Sequence, residues 1–370
     1  MTIQRAFKTK LRLNNEQRAY FYGCAGAARF VYNWALADRI ERHKAGEQGT
    51  NKFEQKRRFN AWKLENAPWL AEYPYVLVER AFDDLDAAYK NFFRRVKQGA
   101  EEPGFPKFRT KRKDAPRFCL GCNGVTVEAD KIKLPRIGWV TLEERGYIPT
   151  ANAKLNRVTL SERAGDWYVS VQMEMPEPAK PVLSGSIGVD LGIKALATTS
   201  DGRTFDNPKA IVKYERRLAR LQRELHRRVK GSRNRSKTKT KIAKLHQRIA
   251  DVRIHTLHDI SAHVVYTMKP ERVVLEDLNI KGMAANRHLA KAVADAGMGE
   301  LARQIEYKAG WIGVEVVHAD RWYPSTKTCS GCGHVQDMPL SVRVYECQQC
   351  GLVLDRDLNA ARNLAMYVTA

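Results

Sequence analysis

Three acidic residues, far apart along the chain, lie where regular elements begin or end. Asp190 follows a glycine-flanked apolar stretch, Glu276 follows Val273-Val-Leu, and Asp357 opens a stretch with helical spacing. Any one of them could be a solvated carboxylate, and Asp357 could simply be a helix N-cap. Three carboxylates that converge from separate elements could instead hold two Mg²⁺ ions roughly 4 Å apart, as in phosphodiester hydrolysis. Three neighbouring acids are expected to be bystanders: Asp277, Asp320 and Asp355.

Two Cys-x-x-Cys pairs precede Asp357. Cys329 and Cys332 are separated from Cys347 and Cys350 by fourteen residues, and glycines at 331, 333 and 351 suit tight knuckle turns. Four thiolates at this spacing predict a closed tetrahedral Zn²⁺ site, with iron as the alternative metal. Because four thiolates leave no open coordination position, we expect the ion to be structural. A third pair, Cys119 and Cys122, has no partner pair nearby and is interpreted as two ordinary cysteines at a strand end.

The composition indicates a polyanionic partner. The 370 residues include 64 Lys and Arg against 41 Asp and Glu, a formal net charge of +23. Residues 215–244 alone carry thirteen basic side chains and two acidic ones, a density that favours contact with phosphates over a merely solvated surface. No apolar run approaches eighteen residues and no signal-peptide core is present, so a cytoplasmic protein with reduced thiols is expected.

The N-terminal half is predicted to combine helices with short strands. Residues 3–13 alternate as a basic strand, and Asn14 or Asn15 could cap a helix that extends to about residue 44. Further helices are predicted at 53–64 and 79–97, and the polar stretch 45–52 is predicted to be a loop. Strands are predicted at 131–140, 157–161 and 167–175, and a stiff linker at 176–181.

The C-terminal half is predicted to contain the three acids. Residues 185–200 are predicted to form one buried strand that ends in a turn at Asp201-Gly202. Helices at 213–229 and 241–260 are expected to pair as an antiparallel hairpin, with the basic run between them as a loop. A strand ends at Glu276, and the polar residues 280–297 are interpreted as a mobile loop that could act as a lid. Helix 299–309 and strand 313–318 complete the elements before the cysteines.

Several motifs together resemble the TnpB proteins of bacterial insertion sequences, a family regarded as ancestral to the miniature type V CRISPR effectors. In the C-terminal half the resemblance depends on Gly-Val-Asp190-Leu-Gly-Ile-Lys, Leu-Glu276-Asp-Leu-Asn and the segment from Tyr323 through the cysteines to Asp357-Leu-Asn-Ala-Ala-Arg-Asn. In the N-terminal half it depends on Ala28-Arg-Phe-Val-Tyr-Asn, Ala88-Tyr-Lys-Asn-Phe-Phe and Gly104-Phe-Pro-Lys-Phe-Arg. The likeness covers essentially the whole chain.

The resemblance implies an α/β multidomain fold. Residues 1–12 and 100–180 would form a wedge-type β-barrel domain, and residues 13–99 a small helical recognition domain. Residues 182–370 would form a nuclease domain with a RuvC-like RNase H fold, into which a four-cysteine zinc ribbon is inserted at 325–353.

The resemblance also implies an activity, which is RNA-guided cleavage of double-stranded DNA next to a short transposon-adjacent motif. Asp190, Glu276 and Asp357 would be the catalytic residues and the ligands of two Mg²⁺ ions. The guide RNA would come from the transposon end, and the protein would act as a monomeric ribonucleoprotein on the nucleoid and support transposon maintenance.

Further nucleic-acid contacts are expected, and those that would read the adjacent motif lie at positions that vary between relatives. The region in which the family reads its adjacent motif includes Asn51, Lys52, Glu79 and Arg80, of which Lys52 and Arg80 could equally be phosphate contacts or plain surface. Phosphate contacts are expected at basic side chains of the 103–113 turn and of the 215–244 run: Lys107, Arg109, Arg227, Arg228, Arg233 and Arg235.

Three other functions are consistent with parts of the sequence. A guided DNA-binding repressor would not need the three acids, whose presence argues against it. A strand-joining transposase would need a strand-transfer acidic triad or a tyrosine or serine nucleophile, and the chain has no His-x-His pair of the kind that accompanies a nucleophilic tyrosine. An unguided RNase H-like nuclease would not need so large a basic N-terminal half.

Overall fold

A computed structural model of the chain describes residues 2–47, 51–177, 180–339 and 341–368. The chain divides into two compact units, Met1–Pro176 and Glu177–Ala370. The division lies at the start of the predicted linker, whose residues 178 and 179 are outside the described part, as are residues 48–50 of the predicted loop 45–52. No helix in the described ranges is long and apolar enough to cross a membrane.

The N-terminal unit begins with one strand and three helices and continues with six strands. The second and third helices are separated by a short 3₁₀ turn at Pro68–Glu72. The elements are β1 (Thr2–Arg12), α1 (Asn15–Lys44), α2 (Lys52–Asn66), α3 (Val76–Lys97), β2 (Arg117–Leu120), β3 (Thr126–Val127), β4 (Lys131–Leu134), β5 (Gly138–Leu142), β6 (Lys154–Arg163) and β7 (Asp166–Pro176).

The seven strands of this unit form one sheet in the order β2-β6-β7-β1-β5-β4-β3. Strand β1 joins its two parts, since it pairs with β7 along most of its length and with β5 at its last two residues. The core beneath contains Trp167, Phe21 and Phe118, and Phe21 makes edge-to-face contacts with the other two rings. Asn14 starts α1 with a capping box, in which its side chain accepts from the Gln17 amide at 2.7 Å.

One strand prediction in this unit was wrong. Residues 131–140 do not form a single strand; they form the hairpin of β4 and β5. The chain reverses at Leu134–Gly138, where Arg136 and Gly138 both have positive φ. Pro135 and Gly138 mark the reversal in the sequence, and the prediction of one strand did not use these turn signals.

The C-terminal unit contains a five-stranded sheet, six helices and a separate two-stranded ribbon among its described residues. A π-helical turn at His263–Thr267 ends the longest helix. The elements are β8 (Ser186–Leu191), β9 (Ala195–Thr199), β10 (Thr204–Asp206), α4 (Ala210–Arg227), α5 (Arg233–Ala262), β11 (Arg272–Glu276), α6 (Ile280–Ala285), α7 (Ala290–Ala296), α8 (Met298–Ile312), β12 (Glu315–Ala319), β13 (Val344–Glu346), β14 (Val353–Asp355) and α9 (Arg356–Ala365).

The five-stranded sheet has the order β10-β9-β8-β11-β12. Strand β11 runs parallel to both β8 and β12, whereas β9 pairs antiparallel with β8 and with β10. Helices α5 and α8 pack their apolar faces on the sheet around Leu257, Leu301 and Ile305, all of which are buried. The carboxyl ends of β8 and β11 therefore meet at one edge of the sheet, where ligand sites of α/β proteins commonly lie.

One segment of this unit was predicted to be less regular than it is. Residues 280–297 contain α6 and α7, so the prediction of a mobile loop was wrong and the lid hypothesis loses its basis. The Asn279 side chain caps α6 by accepting from the Gly282 amide at 2.9 Å, and Val293 and Ala296 are buried in the core. Ile280 and Met283 also pack against this core, and six alanines in the stretch favour a helix, a signal that the prediction of a loop did not use.

Helices α4 and α5 form the basic hairpin, and the loop that connects them is shorter than predicted. Helix α5 already begins at Arg233, because Ser232 caps it and accepts from the Arg235 amide at 3.2 Å. The predicted pairing is confirmed, since Leu221 of α4 and Leu245 and Ile249 of α5 share one buried cluster. Lysine and arginine are good helix formers, so a dense basic run need not be a loop.

The predicted single strand at 185–200 is instead the hairpin of β8 and β9. Gly192 and the next two residues reverse the chain between the two strands. The reversal matters for the site, because it makes Asp190 the penultimate residue of its strand.

Candidate active site and structural metal centre

Asp190 and Glu276 lie side by side at the carboxyl ends of neighbouring parallel strands. Strands β8 and β11 are in a register that places Leu275 beside Val189, so the next residue of each strand is an acid. Both side chains are half-buried. Val189 and Leu275 are fully buried beneath them, which holds the two strand ends in place.

Asp357 reaches the same edge from the first turn of α9. The alternative interpretation of this residue as the N-cap was wrong, because Asp355 caps the helix. The Asp355 carboxylate accepts from the backbone amides of Asp357 and Leu358 at 2.9 and 3.2 Å. Since Asp355 occupies the capping role, the Asp357 carboxylate is left for other partners.

Gly188, which sequence analysis did not single out, allows α9 to lie directly on β8. A Cβ atom at this position would lie 2.0 Å from the carbonyl oxygen of Ala361 and 2.4 Å from the amide nitrogen of Ala365. Only a residue without a side chain permits this approach of helix backbone to strand. The available signal was a glycine inside an apolar strand, two residues before an acid.

The three carboxylates interact electrostatically. Burial raises the pKa of Asp190 well above its ordinary value, and the charges of Glu276 and Asp357 raise it further, while Arg356 opposes the shift. Arg343 forms an ion pair with Asp357 at 3.7 Å. Negative charge is therefore concentrated at this edge of the sheet. Carboxylate oxygens are the ligands that Mg²⁺ prefers, so the chemistry of these side chains suits such an ion.

The neighbouring acids have other partners. The Asp277 carboxylate accepts from the Arg321 guanidinium at 2.7 Å, and Asp320 accepts from the backbone amide of Trp322 at 2.8 Å. With Asp355 capping α9, these contacts agree with their interpretation as bystanders.

The four predicted thiolates form a compact cluster beside α9. The Sγ atoms of Cys329 and Cys350 are 3.7 Å apart, and those of Cys332 and Cys347 are 3.6 Å apart. A tetrahedral zinc with Zn–S distances of about 2.3 Å requires sulfur–sulfur distances of about 3.8 Å, so the cluster fits the ion. Within the described ranges, these cysteines are the one group of three or more potential ligands whose atoms all lie within 4.8 Å of one another.

The knuckles have the backbone bonds that stabilise thiolates. The Cys350 amide donates to the Cys347 sulfur at 3.5 Å and is the largest cause that lowers the pKa of the Cys347 thiol to about 6, whereas burial and the neighbouring cysteines raise the pKa of the Cys332 thiol to about 12. The Gly331 amide donates to the Cys329 sulfur at 3.4 Å. The ribbon strands β13 and β14 place the fully buried Tyr345 beneath the cluster.

We expect Cys347→Ser to remove the zinc. Changes to residues that merely support a metal ligand cost about 10- to 100-fold in affinity, so losing a ligand should cost on the order of 100-fold or more. Zinc content after dialysis, measured by atomic absorption, should fall from one ion per chain towards zero. The matched control is Cys122→Ser, since Cys122 is an exposed member of the unpaired Cys-x-x-Cys. Equal zinc content in both variants would contradict a four-cysteine site.

The predicted motif-reading residues lie in the N-terminal unit, at α2 and α3. Asn51 caps α2 by accepting from the Phe53 amide at 2.9 Å. The side chains of Lys52 and Arg80 both pair with Asp83, at 2.8 and 3.2 Å, and Glu79 pairs with Lys56.

The other predicted contacts differ in exposure. Lys107 is exposed, whereas Arg109 is half-buried, stacks on Tyr32 and pairs with Asp84 at 3.1 Å. On the basic hairpin, Arg227 and Arg233 are exposed and Arg228 pairs with Glu224. The Arg235 guanidinium donates to the carbonyl oxygens of Leu225 and Arg228, at 2.5 and 2.9 Å. Arg235 therefore satisfies the carboxyl end of α4.

Family models match three stretches of the chain. The OrfB_IS605 model, described as "Probable transposase", matches residues 168–287. A model described as "Cas12f1-like, TNB domain" matches residues 299–364, which include the four cysteines. A model described as "Helix-turn-helix domain" matches residues 1–48, although residues 2–47 form one strand and one long helix.

Relatives are similar to the chain over most of their length. A candidate RNA-guided DNA endonuclease of Streptomyces pristinaespiralis is 34% identical over 371 residues, which cover 98% of this chain and 89% of the relative. InsQ of Escherichia coli K12, also described as a candidate RNA-guided DNA endonuclease, is 34% identical over 383 residues. The match covers 97% of this chain and 91% of InsQ. A solved complex of Cas12f1 with sgRNA and target DNA covers 98% of this chain and 99% of its own at 14% identity, with a TM-score of 0.38, too low to establish a fold.

Proposed function

The chain belongs to the TnpB family, and we propose that it is an RNA-guided endonuclease that cleaves double-stranded DNA. Its catalytic residues would be Asp190, Glu276 and Asp357. The observation that supports this most directly is the meeting of three carboxylates from separate elements at one sheet edge, close enough to raise the pKa of Asp190. Relatives described as RNA-guided DNA endonucleases are similar over nearly the whole chain, which adds support.

The nuclease unit would have a RuvC-like RNase H fold. When strands β8 to β12 are numbered 1 to 5 along the chain, their order across the sheet is 3-2-1-4-5. The fourth and fifth strands run parallel to the first, which supports this assignment. The boundaries at 182–370, with a ribbon inserted at 325–353, are part of the proposal. So are the wedge-type β-barrel of 1–12 and 100–180 and the helical recognition domain of 13–99.

The three acids would hold two Mg²⁺ ions, which when bound activate water and stabilise the leaving oxygen in phosphodiester hydrolysis. The protein contributes the negative charge that concentrates cations at this edge. It also contributes the geometry, since two acids are held by adjacent strands and the third by a helix that packs on one of them. The half-buried environment strengthens these electrostatic interactions relative to bulk water.

Basic surfaces would hold the nucleic acids through their phosphates. The α4–α5 hairpin carries exposed lysines and arginines along both helices, and the 103–113 turn adds Lys107 beside the exposed rings of Phe105 and Phe108. Such contacts set affinity and salt dependence but carry no sequence choice. Sequence choice would come from pairing between the guide RNA and the target strand.

The motif beside the target would be read by the region that includes Asn51, Lys52, Glu79 and Arg80. In this structure Lys52, Glu79 and Arg80 have ion-pair partners within their own unit. Reading DNA with these side chains would exchange those pairs for contacts with bases or phosphates. The particle would be a monomeric ribonucleoprotein acting on the nucleoid in the cytoplasm, with a guide from the transposon end, and its cleavage would maintain the transposon.

Purification with the flanking sequence of its own element tests the proposal. We expect one RNA species to co-purify, and the loaded protein to cut a plasmid that matches the guide in the presence of Mg²⁺ but not one with a scrambled target. Absence of bound RNA, or cutting that ignores the guide, would favour an unguided nuclease. Guide-dependent binding without cutting would favour a repressor.

A further inference from the structure

Ser325 connects the four-cysteine ribbon to one of the three acids. Its hydroxyl donates to Glu276 Oε1 at 2.6 Å, a short distance typical of a hydroxyl bonded to a charged carboxylate. The Ser325 residue is 4% exposed, so the bond is shielded from water on the serine side, whereas Glu276 is half-buried. The two residues are 49 positions apart, and Ser325 lies four residues before the first cysteine of the cluster.

The backbone around Ser325 is held by two buried asparagines of α9. Asn363 Nδ2 donates to the carbonyl oxygens of Ser325 and Thr328, each at 2.6 Å. Asn359 Nδ2 donates to the Thr328 carbonyl at 2.7 Å, and its Oδ1 accepts from the Ser330 amide at 2.9 Å. Both asparagines are almost fully buried, and α9 also carries Asp357. One helix therefore supplies an acid to the site and fixes the stem of the ribbon, which is residues 325–330.

These contacts form a continuous path from the cysteine cluster to the site. Cys329 belongs to the cluster, and the residues on either side of it, Thr328 and Ser330, bond to α9. At the other end of the stem, the Ser325 hydroxyl bonds to Glu276. The Glu276 side chain has three rotatable bonds, and a fixed donor restricts them to fewer orientations.

We propose that Ser325 is a positioning residue, which orients the Glu276 carboxylate for Mg²⁺ and so couples the folded ribbon to the acid cluster; this rests on the proposed function. The hydroxyl holds Oε1, which would leave Oε2 for the cation. Partners of metal ligands act in this way in other metal sites, where their loss costs about 10- to 100-fold in affinity or activity.

The test compares Ser325→Ala with Ser330→Ala in the RNA-loaded protein. Ser330 lies in the same stem, and its buried hydroxyl has no hydrogen-bond partner among the described residues, so this variant makes the same chemical change without touching Glu276. We expect Ser325→Ala to slow guided cleavage by about 10- to 100-fold and to raise the Mg²⁺ concentration needed for half-maximal rate. Ser330→Ala should behave as the wild type, and Ser325→Thr, which keeps a hydroxyl, should recover most of the rate.

A second readout does not depend on cleavage. Mg²⁺ that binds the folded protein raises its melting temperature, and the increase grows with the logarithm of ion concentration over the dissociation constant. The full chain without RNA should show this increase in the wild type and in Ser330→Ala, but only at higher Mg²⁺ concentrations in Ser325→Ala. A purely structural role predicts a lower melting temperature at every Mg²⁺ concentration, with an unchanged Mg²⁺ dependence, and that outcome would overturn the proposal.

The outcomes separate the positioning role from the nuclease assignment. If the wild type does not cut with any guide, the proposed function fails. If the wild type cuts and Ser325→Ala cuts equally well at limiting Mg²⁺, the nuclease assignment stands and the positioning role fails.

Discussion

Asp190→Asn is expected to reduce guided DNA cleavage by about 10³-fold or more while leaving guide and target binding intact. Asparagine has the size of aspartate but no charge, and Asp190 is the acid whose pKa responds to both of the others. Metal stabilisation of a reacting phosphate contributes several kcal/mol, and each 1.4 kcal/mol changes the rate about tenfold. Single-turnover cleavage by the RNA-loaded variant measures the rate, and a gel-shift assay measures binding.

Asp277→Asn is the matched control for this substitution. Asp277 directly follows Glu276 in the chain but is exposed and paired with Arg321, so its loss should leave cleavage unchanged. The melting temperature of Asp190→Asn should be no lower than that of the wild type, because the substitution removes a charge that burial and the two neighbouring carboxylates disfavour. Cleavage by Asp190→Asn at the wild-type rate would contradict the assignment of Asp190 to the active site. Loss of cleavage in both variants would mean that cleavage depends on the total negative charge of this region and not on Asp190 in particular.

Gly188→Ala is expected to destabilise the C-terminal unit strongly and to abolish cleavage with it. The new methyl group would lie 2.0 Å from the Ala361 carbonyl oxygen and 2.8 Å from Leu364 Cβ, so α9 would have to move off β8. Overpacking against backbone costs at least about 3 kcal/mol here, which lowers the melting temperature of a unit of this size by about 6–12 °C. Thermal unfolding followed by circular dichroism measures the change.

Gly310→Ala provides a control with the opposite sign. Gly310 lies in α8 and is exposed. Apart from its chain neighbours and the backbone of its own helix, no atom of the described residues comes within 4 Å of the position that its new methyl group would take. Alanine is the better helix former, so this variant should gain up to about 1 kcal/mol. If Gly188→Ala melts at the wild-type temperature, or if both substitutions shift it equally, the close crossing of α9 over β8 is not what holds the helix in place.

Local patterns predicted the elements whose signals are contained in a few residues. The spacing of the cysteines predicted their cluster, because two short knuckles bring four thiolates together with little help from the rest of the chain. The apolar faces of the α4–α5 hairpin predicted its pairing. The prediction failed at 280–297, where alanines favour helix and Ile280, Met283, Val293 and Ala296 pack on the core.

The acids could be nominated from sequence, but their arrangement could not be derived from it. Asp190 and Glu276 stood out because each ends an apolar strand, and their adjacency depends on the pairing of β8 with β11, which lies more than eighty residues later in the chain. In Asp355-Arg-Asp357, either acid could have capped the helix, and the start of helical backbone at Arg356 assigns that role to Asp355.

The sequence by itself therefore determined the chemical groups: four thiolates at zinc-binding spacing, three separated carboxylates and a basic hairpin. Only the tertiary structure decided which groups act on one another. Gly188 brings α9 onto β8, and Ser325 reaches Glu276 from the stem of the ribbon. The physical reason is that ligand type and spacing are local properties of the chain. Helix crossing and strand register are set by packing between residues that lie tens to nearly two hundred positions apart.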